Sequence, residues 1–107
     1  MSTTLPDEAT ARLFGRRLVE ERLAACAQIV GPIWSTYWWE SQIQEASEWY
    51  CHLKTTSAVS AELSRRIREL HPYEVPEIII LALKEGDVRY FKWIGDTVRP
   101  SPKLPGP

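Results

Sequence analysis

The sequence lacks any long apolar run. No stretch approaches the roughly 20 apolar residues that a membrane-spanning helix needs, and no basic segment followed by an apolar one marks a signal peptide. We therefore expect a cytoplasmic protein that has no membrane partner.

Charge of one sign is also scarce. The chain has 13 basic and 14 acidic residues, for a formal charge of −1 at pH 7, and no long basic block. Domains that bind nucleic acid usually carry a basic patch or stripe. The composition therefore predicts no nucleic-acid partner.

Cysteine is limited to Cys26 and Cys51. They could form one disulfide, but without a secretory signal we favour two reduced thiols. CxxC, HExxH and glycine-rich phosphate-binding motifs are all missing from the sequence. We therefore expect neither a structural zinc site nor a Walker-type nucleotide site.

What the chain contains fits one small globular domain. Its 107 residues are 44% apolar and 25% charged, which is ordinary for a single packed core. We predict one domain over residues 1–98. The proline-rich end, residues 99–107, should be disordered.

The most informative segment is HPYEVPEI, residues 71–78. Leu63, Ile67 and Leu70 recur before it at helical spacing, and Pro72 should end that helix. The apolar run 78–83 after it predicts a strand buried on both faces. The junction thus places an imidazole, a phenol and carboxylates at the end of a rigid element.

The remaining pattern alternates helices and strands. We predict a first helix from Pro6 to about Ala24 that buries Ala9, Leu13, Leu18 and Leu23. The other predicted elements are a strand 26–29 bent at Gly31-Pro32 and resumed over 33–40, a turn near Ser41-Gln42, a strand 49–54, a helix capped by Thr55, Thr56 or Ser57, and a helix 88–98.

This order predicts an α+β fold. Helix, hairpin, helix and strand are most of a ferredoxin-like βαββαβ sandwich, here with a long hairpin and a C-terminal helix. The first strand is expected to be truncated, because only residues 1–5 precede Pro6 and they are short and polar. Either the natural start lies upstream, which we favour, or the sheet closes differently.

The hairpin carries aromatic rings on both faces. Alternate strand residues face opposite sides, which separates Trp34, Thr36 and Trp38 from Ser35, Tyr37 and Trp39. One layer of helices covers only one face of the sheet, and monomers rarely expose large apolar patches. One or two singly exposed rings would be ordinary, but we favour an obligate oligomer.

Short motifs recur in order along the chain: Leu23-Ala24-Ala25-Cys26-Ala27, Pro32-Ile33, Ser35, Tyr37, Trp39-Glu40, Leu53-Lys54-Thr55-Thr56, HPYEVPEI, Gly86, Tyr90 and Trp93-Ile94. Together they resemble the CutA divalent-cation tolerance proteins over roughly residues 6 to 98. The resemblance implies a homotrimer whose hairpins extend the sheets of neighbouring subunits, a non-enzymatic role in the response to metal ions, and binding of copper or another divalent cation.

The resemblance also implies where ligands would bind. A small-ligand cleft between subunits would be lined by Tyr37, Trp39, Lys54, Tyr73, Glu74 and Trp93. Some CutA proteins are described as binding copper through a cysteine on the first strand and two histidines before Pro-Tyr. Here only His71 matches, because Leu70 stands at the other histidine position, so a full copper site of that type is not supported.

His71 is therefore the first candidate metal ligand, with Glu74 and Glu77 as candidates for additional oxygen ligands. In the competing interpretation, which we favour, it caps the preceding helix. Three alternatives to a metal-response protein stay open: a ligand-sensing trimer like the PII proteins, which share the fold, a structural scaffold, and an enzyme that uses His71 with Glu74, which we rank lowest.

Overall fold

The computed structural model describes residues 1–100. Its elements are β1 Ser2–Leu5, α1 Glu8–Glu20, β2 Cys26–Trp39, β3 Gln42–Lys54, α2 Ser60–Leu70 and α3 Val88–Thr97. The strands form one antiparallel sheet in the order β1-β3-β2, and α1 packs on β2 and β3. The predicted α+β class is confirmed. Most of the predicted disordered tail, residues 101–107, lies outside the described part of the chain.

A first strand of four residues is present, which corrects the expectation that the polar residues 1–5 are unsuited to a central strand. β1 pairs with β3 from Ser2↔His52 to Leu5↔Trp49. Thr3 and Leu5 are 0% exposed, so this short strand lies within the core. Polarity was a poor guide to this strand, because threonine is β-branched and is enriched in strands on half-buried sheet surfaces.

The expected strand at residues 78–83 is wrong in extent and in burial. Only Ile79 bridges to Ser2, and the side chains of Ile80, Leu81 and Leu83 are 57%, 69% and 51% exposed. Within residues 1–100, the pairing of this run is limited to that one bridge. An apolar composition predicts that a segment is buried, but it does not predict which element buries it.

The hairpin is longer than the predicted strands. β2 and β3 pair from Cys26↔Lys54 to Trp39↔Gln42, with a shift in register between Val30 and Ile33 that confirms the predicted irregularity at Gly31-Pro32. Gly31 is needed there, because a Cβ atom would lie 2.5 Å from the ring of Trp49. Glu40 and Ser41 make the turn with positive φ angles of 50° and 63°.

The helices follow the prediction with shifted details. The buried residues of α1 are Ala11, Phe14, Gly15 and Leu18. Leu18 and Leu23 are buried as predicted, whereas Ala9 and Leu13 are exposed. The amphipathic face was therefore placed partly on the wrong side of the helix.

The second and third helices differ from the prediction only at their ends. None of the predicted residues Thr55, Thr56 and Ser57 caps α2: its N-cap is Val59, without a side-chain hydrogen bond. The hydroxyl of Thr55 instead donates to the carbonyl of Leu23 at 2.7 Å. α3 begins after its cap Asp87, as predicted. Arg99, assigned to the tail, donates its backbone N–H to the carbonyl of Arg22 at 2.8 Å. No helix within residues 1–100 is long and apolar enough to cross a membrane.

Candidate functional site

His71 lies at the C-terminal end of α2, 9% exposed, with both ring nitrogens engaged. Nε2 is 2.8 Å from the carbonyl oxygen of Thr4, and Nδ1 accepts the backbone N–H of Tyr73 at 3.1 Å. Since a carbonyl can only accept, Nε2 must carry the proton, and the ring is neutral. Burial lowers the pKa of His71 below its ordinary value of 6.5, which favours the same form.

This arrangement gives His71 a structural role that links α2 to β1. Its ring also makes an edge contact with Phe14, at 5.6 Å between ring centroids, and lies 4.8 Å from Tyr73. Metal ligation would require one of the two hydrogen bonds to break. A metal-binding role for His71 therefore stays a prediction.

Tyr73 connects the same junction to the base of the hairpin. Its hydroxyl donates to Glu48 Oε2 at 2.8 Å, and Glu48 is only 8% exposed. Burial, with a further contribution from Glu48, raises the pKa of Tyr73 well above its usual range. The phenol therefore stays protonated and holds the hairpin base against the junction.

The other predicted cleft residues are spread over the molecule. Tyr37 and Trp39 share the Glu48 face of the hairpin, because they pair directly with Gln44 and Gln42. Glu74 is exposed, so it does not form a poised acid/base pair with the engaged His71.

Lys54 and Trp93 lie elsewhere again. Lys54 follows Glu48 by six residues on β3, or about 20 Å of extended chain. Trp93 on α3 packs on Tyr90, with the ring centroids 5.6 Å apart, and lines a hollow beside Arg16 and Cys26. The six residues predicted to line the cleft do not lie together in one chain. The cleft between subunits therefore stays a prediction.

The part of the chain that the structure describes contains no group of three His, Cys, Asp or Glu residues able to hold a metal ion. β1 carries no cysteine and Leu70 stands beside His71, so the copper site described for some CutA proteins is not supported by these residues. Both cysteines are free. Burial raises the pKa of Cys51 to about 12, which keeps its thiol neutral.

A second polar cluster, at the end of the sheet opposite the hairpin tip, was missed. Ser2 Oγ lies 2.6 Å from His52 Nδ1, the Tyr50 ring stacks on His52, and Lys54 Nζ donates to Gln28 Oε1 at 2.8 Å. Ser2 and Gln28 stand opposite His52 on its two neighbouring strands. Only the strand pairing reveals this cluster, and β1 had not been assigned as a strand.

An ion pair between α1 and α2 gives a testable pH dependence. The hydrogen bond from Arg66 lowers the pKa of Glu21 from 4.5 to about 2. A depressed carboxyl pKa stabilises the fold above pH 4.5, and this contribution is lost as the pH falls towards 2. Glu21→Gln should therefore flatten the fall in unfolding free energy across this window in urea titrations. The exposed Glu20→Gln control should retain it; equal slopes in the two variants would contradict the assignment.

The protein is thus a small α+β protein with a long aromatic hairpin and, within residues 1–100, no group of three His, Cys, Asp or Glu residues able to hold a metal ion. Residues 1–97 match the family model described as CutA1 divalent ion tolerance protein. The chain therefore belongs to the CutA family, which confirms the resemblance.

Individual relatives agree. The chain is 43% identical over 91 residues to a divalent-cation tolerance protein CutA of Thermus thermophilus, covering 85% of this chain and 88% of that protein. Human Protein CutA is 40% identical over 91 residues, 85% of this chain but only 51% of that protein.

Solved structures show the same fold. The divalent cation tolerance protein from Thermus thermophilus superposes with a TM-score of 0.87 at 40% identity, covering 92% of this chain and 95% of that one. The Oryza sativa CutA1 structure has a TM-score of 0.88 at 33% identity, with 92% and 90% covered. The Archaeoglobus fulgidus structure is described as a periplasmic divalent cation tolerance protein, with a TM-score of 0.87 at 35% identity, covering 92% and 95%.

Proposed function

We propose that this protein is a non-enzymatic homotrimer that takes part in the response to divalent metal ions. Membership of the CutA family, matched over residues 1–97, is the observation that carries the proposal. We keep the cytoplasm as its predicted location.

The proposed assembly is supported by apolar surface that is exposed to solvent in a single chain. On the hairpin, Trp34, Trp38 and Ile43 are 68%, 71% and 59% exposed on one face, and Tyr37 and Trp39 are 44% and 39% exposed on the other. Such clusters of exposed aromatic rings are typical of interfaces.

Two open strand edges complement this surface. β2 forms one edge of the sheet, and the extended segment 79–83 carries exposed apolar side chains at the other. Addition of one chain's edge to another's satisfies backbone groups on both. Because the two edges differ, the contact is head-to-tail and can close into a ring such as a trimer.

The proposed link to metal ions predicts binding that depends on assembly. The described residues of one chain provide no group of three such ligands, so in this proposal the ions draw ligands from more than one subunit. We expect calorimetric titration of the metal-free protein with Cu²⁺ or Zn²⁺ to show saturable binding, and a monomeric hairpin variant to lose it. Unchanged binding by the monomer, or no binding by the trimer, would refute the proposal.

His71 can be tested separately in the same titration. His71→Gln keeps a neutral polar side chain at this position. Weaker binding by this variant, with the trimer intact, would make His71 a ligand, whereas unchanged affinity would leave it a purely structural residue.

A further inference from the structure

The outer part of the hairpin extends beyond the rest of the sheet. β1 ends at Leu5, which pairs with Trp49. The seven pairs that follow, beginning at Ile33↔Glu48, have no third strand beside them in the described part of the chain. We call these residues, 33–48, the hairpin arm, and the rest of the chain the body. Glu48 is the one buried residue of the arm, so the arm packs little on its own body.

The arm begins at a bend in β2. The register shifts between Val30 and Ile33, so that Gly31 and Pro32 stand opposite the single residue Trp49. A bulge of this kind bends the strand and increases its twist. The direction of the arm relative to the body is therefore set at this point.

A hydrogen bond connects the first pair of the arm to an element outside the hairpin. The hydroxyl of Tyr73 donates to Glu48 Oε2 at 2.8 Å. Tyr73 is itself positioned by the end of α2, because its backbone N–H donates to His71 Nδ1 and the two ring centroids lie 4.8 Å apart. His71 in turn donates to the carbonyl of Thr4 in β1. The bond to Glu48 thus joins the arm to the body just beyond the bend.

Few other polar contacts restrain the arm. Among the described residues no ion pair involves it, and the bond from Tyr73 is the one side-chain hydrogen bond that reaches it from outside the hairpin. Glu48 is only 8% exposed, so water competes little for this bond. Hydrogen bonds to a carboxylate are stronger than neutral ones. Such a bond can favour one direction of the arm about tenfold.

We propose that the hydrogen bond from Tyr73 to Glu48 holds the hairpin arm in the direction in which it meets a second copy of this chain. The inference rests on the proposed trimer, because the arm carries the exposed aromatic rings of the proposed interface. A segment that is already ordered costs less to immobilise on association. Tyr73 and Glu48 are therefore positioning residues for assembly.

The direction of the arm can be measured in single chains. Trp34→Glu with Trp38→Glu supplies this background, because each charge would be buried unpaired in the proposed interface. Both positions lie on the arm face opposite Glu48, so the hydrogen bond under test is not altered.

Spin labels then report the distance between the arm and the body. They are placed at Gln42→Cys, near the arm tip, and at Arg68→Cys on α2, two exposed positions, in a chain whose other accessible thiol is removed by Cys26→Ala. Pulsed electron resonance gives the distribution of distances between the labels. Tyr73→Phe should broaden this distribution, because the arm is no longer held at its base.

Three further variants test the assignment to this one bond. Glu48→Leu removes the acceptor and should broaden the distribution as Tyr73→Phe does, whereas Glu48→Gln keeps an acceptor oxygen and should leave it narrow. Tyr50→Phe removes a phenol hydroxyl two residues further along β3 and should have no effect. An unchanged distribution in Tyr73→Phe, or equal broadening by Tyr50→Phe, would overturn the proposal.

Assembly is scored separately, in chains that keep both tryptophans. Light scattering follows a dilution series in urea, at the urea concentration that half dissociates the unmodified protein. Tyr73→Phe should raise the protein concentration needed for half assembly by about tenfold or more, and Glu48→Gln should not. Unchanged assembly in Tyr73→Phe would overturn the positioning role. If the unmodified protein is monomeric, the proposed trimer fails and this role fails with it, while the label distances still decide whether Tyr73 holds the arm.

Discussion

Placing a glutamate on each face of the hairpin, with Tyr37→Glu and Trp38→Glu together, should reduce the assembly to single chains of 12.3 kDa. The two side chains point to opposite faces of β2, and they are 44% and 71% exposed in one chain. If neighbouring subunits cover these faces, each substitution buries an unpaired charge. Truncation of an aromatic residue that acts as an interface hot spot costs about 2 kcal/mol or more.

Leu13→Glu is the matched control for the hairpin variant. Leu13 is 71% exposed, as Trp38 is, but lies on α1 and outside the hairpin strands. We expect this variant to keep the molar mass of the unmodified protein in light scattering. Equal behaviour of the two variants would mean that the hairpin is not the interface.

His71→Ala should lower the free energy of unfolding by about 2 to 4 kcal/mol. The substitution leaves a cavity beside Phe14 and Tyr73, and it removes the partners of the Thr4 carbonyl and the Tyr73 N–H. Urea unfolding near neutral pH measures the loss. It should be the same with and without added metal, because both ring nitrogens already serve the fold.

The exposed Arg68→Ala is the control for His71→Ala. A surface substitution of this kind usually changes stability by less than about 0.5 kcal/mol. If His71→Ala were equally mild, the imidazole would not be the link between α2 and β1 that the geometry indicates.

Periodicity was a good guide where one chain supplies both partners of a contact. The helix that ends at His71, the irregularity at Gly31-Pro32 and α3 were all predicted from spacing and from proline and glycine positions. β1 was missed because its serine and threonines are as polar as a disordered terminus. These residues form a strand because they pair with β3. The segment 78–83 was misjudged because its apolar residues need cover that the described part of one chain does not provide.

The candidate site was less predictable for a related reason. The presence of His71 and Tyr73 at one junction is visible in the sequence, but their hydrogen bonds to Thr4 and Glu48 join positions 67 and 25 residues apart. The pairing of Ser2 with His52 spans 50 residues. Such contacts follow from register and topology, which local sequence patterns do not specify.

The molar mass of the unmodified protein in solution tests the central claim most directly. Light scattering should give the mass of three chains of 12.3 kDa, unchanged on dilution through the micromolar range. A stable mass of one chain would contradict the account, because the aromatic hairpin and the segment 79–83 would then remain uncovered in water.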